Sequence, residues 1–174
     1  MSLSFPIRPW SVTAASIGIG ILMACGDPPE DNDDHDDDGL TLEEDVCLHA
    51  QEDTPIPRTA SLDINDVDSG SDNISHTHTF YEIELPDNSD GDYEGYLAFG
   101  VESADRYGLF VNTELDVEFV DDAGDSLGEM TVDDFDACPD IVAQYSLQLS
   151  AGDHFVHFGP TDQATIYVVT ETVP

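Results

Sequence analysis

From about residue 74 to the C-terminus, apolar and polar residues alternate with a period of two, and no segment sustains a helical period. That pattern argues against a helical bundle and points to strands with one buried face. It predicts strands at about 77–85, 95–102, 107–112, 115–121, 126–132, 141–149, 153–158 and 165–172. Runs such as Asp87-Asn88-Ser89-Asp90-Gly91, Asp122-Ala123-Gly124-Asp125 and Ser150-Ala151-Gly152-Asp153 separate them with residues suited to tight turns. Seven or eight short strands divided in this way predict an all-β fold, an antiparallel β-sandwich of jelly-roll type. Residues 46–73 are less regular and leave room for one edge strand near 60–64.

The alternation also assigns faces. Thr79, Tyr81, Ile83 and Leu85 should face the core, with His78, Phe80, Glu82 and Glu84 on the opposite, solvated side. Leu115, Val117 and Phe119 should point inward, and Tyr145, Leu147 and Leu149 share a face. Phe80, with Phe99 and Phe110, interrupts the polar pattern. Such aromatics mark either a second packed layer or an exposed partner patch.

Charge narrows the function. The chain carries 39 Asp and Glu against three Arg and no Lys, a formal net charge of −36. Nothing is available to neutralise a run of phosphates, so nucleic-acid binding is excluded. Electrostatic docking on an anionic membrane is excluded for the same reason. Residues 27–45 hold 11 acids in 19 positions, two prolines and no aromatic, which reads as a disordered, extended tether. Within it, Asp34, Asp36 and Asp38 followed by Gly39 match the start of a calcium loop, with Asp45 at the twelfth position. The preceding Pro28 and Pro29 supply no entering helix, and a solvated tether is the competing reading.

The N-terminus reads as an address. Arg8 precedes an uncharged, mostly apolar run from Trp10 to Met23, and at ~14 residues this suits a signal-peptide core better than a membrane span of ~20. It ends Leu22-Met23-Ala24-Cys25, which resembles the lipobox of bacterial lipoproteins. The resemblance implies cleavage before Cys25, lipidation of its thiol and a cell-envelope location. With Gly26 after the Cys, the same resemblance implies the outer membrane rather than the inner. The expected organisation is a signal peptide over 1–24, a lipidated Cys25 with its acidic tether over 25–45, and a sandwich domain over 46–174. Export makes a disulfide between the remaining Cys47 and Cys138 the simplest expectation, the alternative being two free thiols that help bind metal.

The segments LDVEFVDDAGDSLGE (115–129), YSLQLSAGDHFVHFGP (145–160) and TIYVVTE (165–171) together resemble the bacterial pre-peptidase C-terminal and related jelly-roll domains. The resemblance implies a non-catalytic accessory module.

The histidines are the residues most suited to chemistry. His76 and His78 at the start of a strand would project from one face about 7 Å apart, a spacing that lets two imidazoles share a metal. His49, two residues after Cys47, is the candidate third ligand. Imidazole ligands point to Zn or Cu. His154 and His157 lie on opposite faces of one strand, so only one could join, and His35 belongs to the tether. No hydrolase, kinase or dinucleotide motif occurs. Three functions follow, in this order: a lipid-anchored, non-catalytic binding or structural module with an envelope protein or glycan partner; a His-based metal-binding lipoprotein; and a carboxylate-dependent hydrolase.

Overall fold

The computed structural model describes residues 39–174. The leader, Cys25 and the run carrying Asp34, Asp36 and Asp38 lie outside the described residues. The described residues form a helix α1 (Leu42–Glu52) and nine strands. These are β1 (Ile56–Thr59), β2 (Thr79–Glu84), β3 (Tyr93–Val101), β4 (Asp105–Val111), β5 (Val117–Val120), β6 (Thr131–Asp134), β7 (Ala143–Leu149), β8 (Gly152–Thr161) and β9 (Thr165–Thr172). One sheet has the order β1-β2-β9-β4-β7-β6 and the other β3-β8-β5. The all-β sandwich expected from the alternation is what the chain adopts.

Its winding explains the jelly-roll character. β2 pairs with β9, β3 with β8 and β4 with β7, all antiparallel, so early strands meet late ones in nested order. The innermost pair of such a winding would be β5 with β6. Here β6 instead pairs with β7 at the edge of the larger sheet. It begins at Thr131, later than the expected strand over 126–132, and all four of its residues are exposed. The edge strand expected near 60–64 lies earlier, at Ile56–Thr59, and runs parallel to β2.

The main core fills the space between the sheets. Tyr81, Ile83, Leu97, Phe99, Leu109, Phe119, Val156, Phe158, Ile166 and Val168 are fully buried there. Phe99 stands edge-on to both Tyr107 and Phe119, with ring centroids 5.3 and 5.0 Å apart. The predicted inward row of β2 is buried from Tyr81 through Leu85.

The opposite face of the larger sheet departs from the expected solvated surface. Phe110, Val169 and Val173 on that face form a second core with Ile141, Phe135 and Val46 of α1, and Phe80 packs against it. Phe80 and Phe110 therefore belong to a second packed layer, while Phe99 belongs to the main core. β4 is buried on both faces for this reason, and its sequence YGLFV reads as a continuous apolar run rather than an alternation.

Helix α1 lies in a stretch read as tether and irregular lead-in. Its start is chemically well marked. Thr41 accepts a hydrogen bond from the Glu44 backbone N–H, and the Glu44 side chain accepts one from the Thr41 N–H. This capping box satisfies two amides that a helix start leaves unpaired. Glu43, Glu44 and Asp45 in the first turn complement the helix dipole. A disulfide joins Cys47 of α1 to Cys138, with the two Cα atoms 5.8 Å apart. It closes a separation of 91 residues, worth ~4–5 kcal/mol in the chain-entropy account.

Candidate metal centre

Three segments converge where α1 crosses the sheet. In α1, Asp45 and His49 stand four residues apart and so share one helix face. From β9 comes Glu171. On that strand Tyr167, Val169, Glu171 and Val173 point to the helix side, so Glu171 takes a place that the alternation would give to an apolar residue. From the entrance to β2 comes His78. The β2–β9 register pairs Thr79 with Thr170, and one step further His78 comes opposite Glu171.

His78 reaches this position at a backbone cost. Its φ is +54°, the only left-handed non-glycine among the described residues. Such strain persists where the surroundings enforce it, and it collects at functional sites. The kink also separates the two histidines expected to act together. β2 starts only at Thr79, so residues 76–78 are not extended strand, and His76 does not join His78. It lines an open groove of about 520 Å³ with Glu102, Asp105 and Asp153 instead.

Asp45, His49, His78 and Glu171 place one ligand atom each within 4.8 Å of the others. His78 Nδ1 lies 2.9 Å from Asp45 Oδ2 and 3.2 Å from Glu171 Oε2. His49 Nε2 lies 3.4 Å from Asp45 Oδ1 and 4.0 Å from Glu171 Oε1. The other ring nitrogen of His49, Nδ1, lies 2.6 Å from Asp53 Oδ2 at the end of the helix. A proton on Nδ1 donated to Asp53 leaves the Nε2 lone pair facing the cluster. The group is of a kind that can hold a metal ion.

Glu171 is the unusual member. It is 1 % exposed, and its Oε1 has no hydrogen-bond partner. Burial pushes its carboxyl up to about 7, opposed by the neighbouring His78 and reinforced by the Asp45 charge. A buried carboxylate oxygen without a partner costs free energy, so a compensating group is expected beside it.

The remaining histidines are held elsewhere. The ring Nε2 of His154 lies 2.8 Å from the Ser150 carbonyl oxygen. His157 packs at a tilt against Tyr96, with ring centroids 4.5 Å apart, and burial holds its pKa below the usual imidazole value. The two cations of the domain are also committed to structure. Arg58 donates to the Asn73 carbonyl and lies over the Tyr81 ring, and Arg106 donates to Ser146 and Thr131. Of the expected trio, then, His49 and His78 come together and His76 stands apart, while Asp45 and Glu171 complete the group.

No protein-family model matches the chain, and no curated protein is significantly similar to it. The chemistry of the cluster therefore carries the functional argument.

Proposed function

We propose that this chain is an exported, lipid-anchored, non-catalytic β-sandwich that binds one divalent transition-metal ion, Zn²⁺ or Cu²⁺, through Asp45, His49, His78 and Glu171. The unpartnered, buried Oε1 of Glu171 carries this reading. Two neutral imidazoles and two carboxylates offset the charge of one divalent ion and suit its preference for nitrogen and oxygen donors. With bonds of ~2.0–2.1 Å, donors on a tetrahedral ion stand roughly 3.3 Å apart. Taking one ligand atom from each residue, the four donors lie within 4.8 Å of one another, so closing on an ion needs only small side-chain adjustments. Copper(I) would need soft sulfur ligands, and Cys47 and Cys138 are joined to each other. The lipobox-like Leu22-Met23-Ala24-Cys25 supports export and anchoring, and the disulfide suits an oxidising compartment.

The test is calorimetric titration of the purified mature chain with zinc and with copper(II). One equivalent should bind, with Glu171→Gln and His49→Ala each weakening binding at least tenfold and His76→Ala leaving it unchanged. A chain that takes up neither ion, or one whose affinity depends equally on His76, would overturn the reading.

A further inference from the structure

The clustered donors belong to three separate segments, α1, the entrance to β2, and β9. An ion bound to all of them would join the helix to the sheet. α1 depends on such a joint more than a typical core helix. It has 11 residues and buries only Val46 completely. Isolated helices shorter than ~12–15 residues are marginal in water, so packing must hold this one. Beneath it lie Phe80, Phe110, Val169 and Val173, which its departure would expose.

The disulfide enters the same geometry. Cys47 lies between Asp45 and His49 in sequence, and its bond to Cys138 limits how far the helix can move from the sheet. Two of the four donors are thereby kept near the other two before any ion arrives. Holding donors in place reduces the ordering cost of binding. Linkage then requires the converse, that a bound ion holds the two sulfurs together.

We propose that the ion is a structural clamp that docks α1 on the sheet, and that clamp and disulfide strengthen each other. The inference rests on the metal-binding reading above and adds its consequence for the fold. With the ion in place, the helix and its second core close as one unit. Without it, Glu171 and Asp45 face each other across the helix–sheet contact, and α1 is the first element to open.

Amide hydrogen exchange of the mature chain, with and without zinc, tests this directly. Zinc should slow exchange across residues 43–52 at least tenfold while leaving β8 unchanged. In a Cys47→Ala/Cys138→Ala double variant, zinc affinity should fall at least tenfold. If that variant does not fold, the exchange experiment on the wild-type chain decides alone. Binding of zinc with no change in helix exchange overturns the clamp and leaves the metal-binding reading standing. Equal affinity in a folded double variant overturns the linkage. Failure to bind zinc at all overturns the metal-binding reading itself.

Discussion

Glu171 concentrates the conflict between burial and charge in this domain. Its carboxyl, ordinarily near 4.5, is raised to about 7 by burial. The sign of the consequence follows from proton counting. Between those two values the folded chain retains a proton that the unfolded chain has released. The stability associated with Glu171 is therefore fully present below about 4.5 and is lost as pH rises toward 7. The metal-free chain should melt at a higher temperature at pH 5 than at pH 8. Glu171→Gln should remove that part of the slope and raise the melting temperature at pH 8. General charge repulsion also weakens at low pH, but it acts on both proteins, so the difference between the two profiles isolates residue 171. Parallel profiles would sink the assignment. In the sequence, Glu171 was legible only as a misfit, a charged residue where β9 alternates apolar ones. Asp45 stood out only as the twelfth position of a calcium-loop pattern, and nothing local tied it to His49, His78 and Glu171.

At the scale of elements, the strands were legible because one buried face imposes a period of two that no helix shares. Eight expected strands correspond to β2–β9, and the turn clusters fall where the chain reverses. Gly124 in the β5–β6 turn adopts φ +81°, with Asp121 accepting from the Ala123 and Asp125 amides beside it. The exceptions have physical causes. β6 is an exposed edge strand with no buried face to set its register. His76 and His78 looked paired because strand geometry was extended one turn too far, through a residue with positive φ. α1 was hidden by its composition, yet Thr41-Leu42-Glu43-Glu44 is a capping box, with Leu42, Val46, Cys47 and Ala50 following on one face. That signal makes a prediction. Thr41→Ala removes the side-chain acceptor for the Glu44 amide and should cost ~1 kcal/mol. For a domain of this size, that is a fall of roughly 3–5 °C in melting temperature. Unchanged melting would mean that the disulfide alone fixes the helix start.

The whole molecule is dominated by its charge of −36. The fold does little to offset it by pairing. Among the described residues every ion pair within 4.0 Å involves a histidine, and both arginines are spent on hydrogen bonds to uncharged groups. The acids therefore act mainly on one another, over distances set by the ionic strength. At 0.01 M salt the screening length is ~30 Å, so repulsion spans the domain; at 1 M it is ~3 Å and only immediate neighbours interact. Unfolding moves the charges apart, so repulsion favours the unfolded chain most at low salt. The melting temperature should rise steadily from 0.01 M to 1 M sodium chloride. Each ~1 kcal/mol regained should appear as roughly 3–5 °C. Two controls separate screening from other salt effects. Potassium chloride should give the same curve, because screening depends on ionic strength and not on the identity of the cation. Glu171→Gln should shift the curve while preserving its shape, because one buried carboxyl is a small part of the total charge. A melting temperature independent of salt would mean that repulsion among the acids does not set the stability of the fold.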